Sequence, residues 1–131
     1  MIFALDTNIL SAVINGNVEI KQKLRDLRNT AEDVIIPLVS YYELKRGLNR
    51  SHHTAKKIAV SELCDNLQIN GLTMKDIDAA IRIYDDCIEK NIEPQDADIL
   101  IAAQCIANDY VLITNNAKHF DSIIALNMTV W

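Results

Sequence analysis

The sequence predicts an α/β fold whose parallel sheet is covered by helices on both faces. Three observations carry that expectation. Short, wholly apolar runs at 2–5, 34–36 and 110–113 read as strands with two non-polar faces. Stretches of helical periodicity separate them, which is the alternation of a parallel sheet. Gly and Pro are scarce, three and two in 131 residues, so the connections are short. The usual handedness makes the crossovers right-handed.

The length suits one domain with a real core, residues 1–131, rather than two. Half of the residues are hydrophobic (50%) and 24% are charged, a globular balance that excludes a disordered chain. Cys64, Cys87 and Cys105 are odd in number, show no paired spacing and each fall in a helical pattern. Buried free thiols in a reducing cytoplasm are therefore expected, and a zinc site is not. Met1 is followed by neither a basic nor a long apolar region, so no signal peptide is expected. No apolar run approaches the roughly 20 residues of a membrane helix, so no membrane partner is expected either. The net charge of −5 requires any nucleic-acid surface to be a local basic cluster.

Taken in order, the first strand stops at Asp6, with Thr7 and Asn8 as turn or cap residues. Ser11 to Ile14 forms a helical turn ended by Asn15-Gly16-Asn17. Residues 18–28 carry Val18, Ile20, Leu24 and Leu27 among polar ones and read as an amphipathic helix. The second strand, Val34-Ile35-Ile36, closes at Pro37. Ser40-Tyr41-Tyr42-Glu43 opens a helix running to Gly47 or Arg50. A longer helix follows over 53–66, with Ile58, Leu63 and Leu67 on its apolar side. A short edge strand is expected between Leu67 and Leu72. Met74 to Lys90 is helical, with Ile77, Ala80, Ile81, Tyr84 and Ile88 in period. Pro94 precedes a helix that bears Asp96, Asp98, Ile99, Ile101, Ala102, Cys105 and Ile106. Tyr110 to Ile113 is a buried strand followed by the turn Thr114-Asn115-Asn116. Asp121 opens a short helix through Leu126, and Met128 to Trp131 is the last strand.

In such a sheet the connecting helices run antiparallel to the strands. Strand C-terminal ends and helix N-terminal ends therefore share one edge, where α/β sheets build their sites. Asp6 ends the first strand, Glu43 falls in the first turn of one helix, Asp98 in the first turn of another, and Asp121 follows the fourth strand. Each has a local alternative. Asp6 and Asp121 suit helix caps, Ser40 and Glu43 have capping-box spacing, and Asp96 and Asp98 sit where a helix dipole favours anions. Glu43 also has Arg46 and Arg50 within reach on its own helix face. Together they point further. Carboxylates crowded at one edge raise one another's pKa unless a cation lies between them. An oxygen-rich set without cysteine or a histidine pair suits Mg²⁺ or Mn²⁺, and phosphodiester hydrolysis is the chemistry it supports.

Four motifs resemble the PIN-domain family, and within it the VapC-type toxins of toxin–antitoxin pairs. They are Leu5-Asp6-Thr7-Asn8-Ile9-Leu10, then Tyr42-Glu43-Leu44-Lys45-Arg46-Gly47-Leu48, then Asp96-Ala97-Asp98-Ile99-Leu100-Ile101-Ala102-Ala103, and finally Leu112-Ile113-Thr114-Asn115-Asn116-Ala117-Lys118-His119-Phe120. The resemblance implies a three-layer α/β/α PIN-like fold with a five-stranded parallel sheet. It implies a metal-dependent endoribonuclease that cuts single-stranded or looped RNA, a cognate antitoxin protein and a homodimer. A structured small RNA such as tRNA is the implied substrate. Asp6, Glu43 and Asp98 are then the catalytic, metal-binding acids, and Asp96 an additional acid near the metal. Thr7 and Asn8 position the first acid, and Thr114 a water or phosphate. The last motif departs from the family at Asn116 and His119, where many members carry an acid. Asn116 retains a carbonyl oxygen that can ligate or hold a water. One metal site, with a second assembled on substrate, is the version this departure favours.

Lys45, Arg46, Arg50, Lys56 and Lys57, with His52 and His53, form a basic stretch beside Glu43 that suits phosphate contacts without base specificity. A solvated helix surface and a docking face for an acidic partner are its other readings. Tyr41 and Tyr42 suit base stacking or the core, one of them buried, and His119 reads as structural. Two rival functions stand beside the toxin ribonuclease. They are a catalytically degenerate domain that binds RNA or a protein, and an RNA-processing nuclease that is not a toxin.

Overall fold

The structure, a computed structural model, describes residues 1–30 and 32–131. Five parallel strands stand in the order β3-β2-β1-β4-β5: β1 Ile2–Leu5, β2 Asp33–Pro37, β3 Gln68–Asn70, β4 Val111–Thr114 and β5 Met128–Val130. The first strand is central. Phe3 pairs with Val34 on one side and Val111 on the other. Strand order reverses at β1, so the crevice beyond the ends of β1 and β4 is the topological switch point.

Period-two alternation divides the strands between two cores. Leu5, Val34, Ile36 and Ile113 pack with helices α1 (Thr7–Ile14), α2 (Val18–Asn29), α3 (Leu38–Asn49) and α4 (Thr54–Asn66). Ala4, Ile35 and Leu112 face the other way, against Ile101, Ala102 and Cys105 of α6 (Asp96–Asn108) and against Phe120. Helix α5 (Met74–Glu89) lies on α6 through Ala79, Ala80 and Ala103, small side chains that allow close approach. Both sheet faces are thus covered, in the expected three-layer α/β/α arrangement. Among the described residues, no helix is long and apolar enough to cross a membrane.

Four expectations are corrected. Helix α3 begins two residues early, at Leu38, because Pro37 both ends β2 and serves as its N-cap. Ser40 is therefore buried inside the helix, Glu43 lies in the second turn, and the pair makes no capping box. The reciprocal box forms instead between Thr73 and Asp76 at the start of α5. Asp121 to Leu126 is a run of turns, and the helical piece precedes it as a 3-10 turn over Ala117–His119. Ile58, Ile81, Tyr84 and Ile88 are exposed, although their spacing is helical. Val60 is the buried anchor of α4. Finally, Cys87 and Cys105 are buried but Cys64 only half so; all three thiols are free. Burial pushes the Cys105 thiol up to about 12.

Candidate active site

Asp6 follows the last residue of β1 and is the N-cap of α1, so its capping reading holds. It is 5% exposed. Its Oδ1 accepts from the Thr7 backbone N–H (2.8 Å) and its Oδ2 from the Thr114 hydroxyl (2.7 Å). The same Thr114 oxygen accepts from the Asn116 N–H at 2.9 Å. Thr114 is fully buried. Its hydroxyl holds the first acid directly.

Thr7 performs two tasks. Its N–H supports Asp6, and its hydroxyl donates to Glu43 Oε1 at 2.7 Å, across from α3. Asp98, in the first turn of α6, meets His119 through Oδ2 and Nδ1 at 3.2 Å. The other ring nitrogen, Nε2, stands 3.0 Å from the Asn116 amide nitrogen. One neutral tautomer, assigned from these contacts, satisfies both: Nδ1–H donates to Asp98 while Nε2 accepts from Asn116.

These groups converge. Asp6, Glu43 and Asp98 line one cleft of about 230 Å³ with His119. Thr7, Asn8, Gln95 and Ala97 complete its wall. Burial holds the Asp6 carboxyl above the usual carboxylate range; the bonds from Thr114 and Thr7 oppose this and the Glu43 charge adds to it. Asp98 is raised too, first by burial; His119 opposes this, and Asp6 and Glu43 push it further. Asp98 thus feels the charge of both other acids, and Asp6 that of Glu43. Among the described residues, no three His, Cys, Asp or Glu side chains close into a cage around one point. The cleft is open, and its carboxylate donors fit a hard, oxygen-preferring ion that completes its shell with water and substrate oxygens.

Several expected members stand elsewhere. Asp96 is exposed and lines the groove between α5 and α6, beside Ile77, Ile81 and Tyr84. Asn116 reaches the cleft only through His119 and does not line it, and exposed Asp121 does not line it either. The basic stretch divides. Lys45, Arg46 and Arg50 line a separate groove of about 780 Å³ that shares no wall residue with the acidic cleft. There the Arg46 guanidinium lies 5.0 Å from the centre of the exposed Tyr42 ring, while Tyr41 is half-buried against the core. Lys56 instead faces a hollow that contains Glu43. His119, which the sequence reads as structural, lines the cleft beside Asp98. Its signal was present: it follows a strand whose C-terminal edge is the site, three residues after Asn116.

Fold and cleft define a class, a doubly covered parallel α/β protein that gathers carboxylates at its topological switch point. Comparison with known proteins makes this specific. The PIN domain model matches residues 3–124, and the chain belongs to the PIN-domain family. Ribonuclease VapC2 of Rickettsia felis is 27% identical over 136 residues, an alignment spanning 100% of this chain and 98% of that protein. The crystal structure of VapBC2 from Rickettsia felis, bound to a promoter DNA fragment, superposes with a TM-score of 0.93 at 26% identity. It covers 100% of this chain and 99% of the other. DNA-bound VapBC from Salmonella typhimurium (TM-score 0.87, 23% identity, 100% and 98% covered) shares the fold. So does VapBC-1 from nontypeable Haemophilus influenzae (0.86, 20%, 100% and 98%).

Proposed function

We propose that residues 1–131 form one nuclease domain, a metal-dependent endoribonuclease that hydrolyses phosphodiester bonds in single-stranded or looped RNA. It acts in the cytoplasm as the toxin of a toxin–antitoxin pair. The observation that carries this reading is the convergence of Asp6, Glu43 and Asp98 on one cleft from three distant segments. The likeness to Ribonuclease VapC2 and to the VapBC complexes supports the RNA substrate and the antitoxin partner. The substrate is a structured small RNA such as tRNA. The chain works as a homodimer, for which exposed Ile81, Tyr84 and Ile88 on α5 offer an apolar face.

Asp6, Asp98 and Glu43 would hold Mg²⁺ or Mn²⁺, which supplies the Lewis acidity that activates water and neutralises the phosphate. The rest is the work of the chain. Thr114 and the Thr7 N–H oppose the rise that burial imposes on the Asp6 carboxyl and hold it in place. The Thr7 hydroxyl fixes one Glu43 oxygen and leaves the other free. His119 orients Asp98 and offers a proton-carrying group beside the scissile phosphate. Asn8 lines the wall as a substrate contact. Asp96 and Arg46 have no part in it.

The test is cleavage of a pool of structured small RNAs by the purified, antitoxin-free protein, with Mg²⁺ or Mn²⁺, with chelator, and as Asp98→Asn. Metal-dependent cutting that the substitution abolishes is the expected result. A folded, metal-supplied protein that cuts nothing refutes the nuclease and leaves a binding domain.

A further inference from the structure

A second hollow adjoins the acidic cleft. It has a volume of about 220 Å³ and borders that cleft at Glu43, which lines both. Its polar rim consists of Ser11 from α1, Asn15 at the C-cap of that helix and Lys56 from α4. Its floor is apolar, built from Ile14, Leu44 and Leu48.

Two features of this hollow have no explanation within the chain. The first is Gly47, which lies in the last turn of α3 and forms part of the wall. Glycine is a poor helix residue. It is tolerated where a neighbour approaches too closely for a Cβ, but a Cβ built on Gly47 meets nothing within 4 Å. Its φ is not in the left-handed region either. The space is open and belongs to the hollow. The second is Lys56, which is half-buried yet makes no ion pair among the described residues, although Glu43 shares its hollow. A lysine at the rim of a hollow with no anion of the chain paired to it is available to an anion from outside.

We propose that this hollow is the subsite for one unstacked nucleobase next to the scissile phosphate, with Lys56 on the flanking phosphate. The inference rests on the ribonuclease reading and deepens it. The hollow is smaller than the roughly 300–1,000 Å³ of ordinary ligand pockets, a size that suits one planar group. The Ser11 hydroxyl and Asn15 amide provide both donors and acceptors for a base edge. The apolar floor accepts the base's face. Single-stranded RNA is recognised through splayed bases of this kind. Gly47 keeps the room for it.

The experiment compares wild type, Gly47→Leu and Lys56→Gln in steady-state cleavage of a single-stranded oligoribonucleotide about ten nucleotides long, with Mn²⁺. Thermal unfolding of each protein is measured alongside. Leucine favours helix and fills the hollow, so its Tm stays at or above that of wild type. Its KM rises at least about tenfold, while kcat changes by less than about threefold, because a binding contact is lost and the reacting centre is not. Lys56→Gln weakens binding of the same oligonucleotide in chelator and lowers the slope of log affinity against log salt by about 1. Should Gly47→Leu unfold, the salt slope of the Lys56 variant decides the matter. A wild type that cuts, with both variants matching its KM and salt slope, overturns this inference alone. Unchanged RNA kinetics combined with weakened binding of the cognate antitoxin also overturns it, and assigns the hollow to a protein side chain. A wild type that cuts no RNA overturns the ribonuclease reading, and this subsite with it.

Discussion

Thr114→Val isolates the hydroxyl on which the first acid depends. Valine keeps the shape of a fully buried side chain and removes one oxygen. Two bonds go with it: the charge-assisted one to Asp6 Oδ2 at 2.7 Å and the one accepted from the Asn116 N–H at 2.9 Å. A bond to a charged group contributes about 1.5–3 kcal/mol and a neutral one about 0.5–1.5. Asn116 is only half-buried, so water can replace part of the second. The expected loss near neutral pH is therefore about 2–4 kcal/mol, which lowers Tm by roughly 10 °C in a chain of this size.

The pH dependence has a definite sign. Burial already raises the Asp6 carboxyl above its unfolded value, and the Thr114 hydroxyl opposes that rise. The folded protein thus binds the Asp6 proton more tightly than the unfolded one. Its stability falls as pH climbs from the ordinary carboxylate value through the raised one. Without the hydroxyl the folded value climbs further, so the fall continues to higher pH. The deficit of the variant is smaller at acid pH, where Asp6 is protonated in both proteins and only neutral bonds are lost, and complete above the raised value. Urea unfolding in chelator, followed by circular dichroism at about pH 4 and about pH 7, reads it directly. A deficit below about 0.5 kcal/mol at neutral pH, or one equal at both pH values, refutes the account of Asp6.

Asp98→Asn behaves differently from its partner acid. Asp98 caps nothing and its raised pKa marks it as a strained anion, so removing the charge leaves apo stability equal or higher near neutral pH while abolishing cleavage. Denaturant titration paired with the RNA assay checks both; an unfolded variant makes Asp98 structural. Saturating Mn²⁺ stabilises wild type by about 2.7 kcal/mol at a hundredfold excess over Kd, and Asp98→Asn by much less, as thermal shift would show. Asp76→Ala is the structural control. Its buried carboxylate accepts from the Thr73 N–H and from the Asn108 amide, so the loss is about 2–4 kcal/mol, with specific activity of the folded fraction unchanged. Lost activity in that fraction contradicts its placement away from the cleft.

Much of the site was legible in the sequence, and each miss has a physical cause. Asp6, Glu43 and Asp98 could be found because strand ends and helix starts of a parallel sheet meet at one edge, whatever the side-chain contacts. Glu43 reached the cleft even though its turn was misjudged: Pro37 moved the helix start by two residues and left the edge unchanged. Asp96 was misplaced because it is two residues from Asp98, a separation that points to another face of a helix. Arg46 differs: three residues from Glu43, it shares that helix face by spacing, yet its side chain turns toward Tyr42 and a different groove.

The sequence alone determined the strands, their parallel arrangement and the edge that gathers the acids, because apolar runs and helical periods are local signals of which surfaces must be buried. Only the tertiary structure decided what holds those acids. Thr114 and Asp6 are 108 positions apart, Thr7 and Glu43 36, and no local pattern records that their side chains meet. The same holds for α5. Its spacing declares an apolar stripe at Ile81, Tyr84 and Ile88, but exposure depends on whether another element lies across it, and α6 covers the alanine face instead. Periodicity reports that a face is apolar; what covers it is a property of the whole chain.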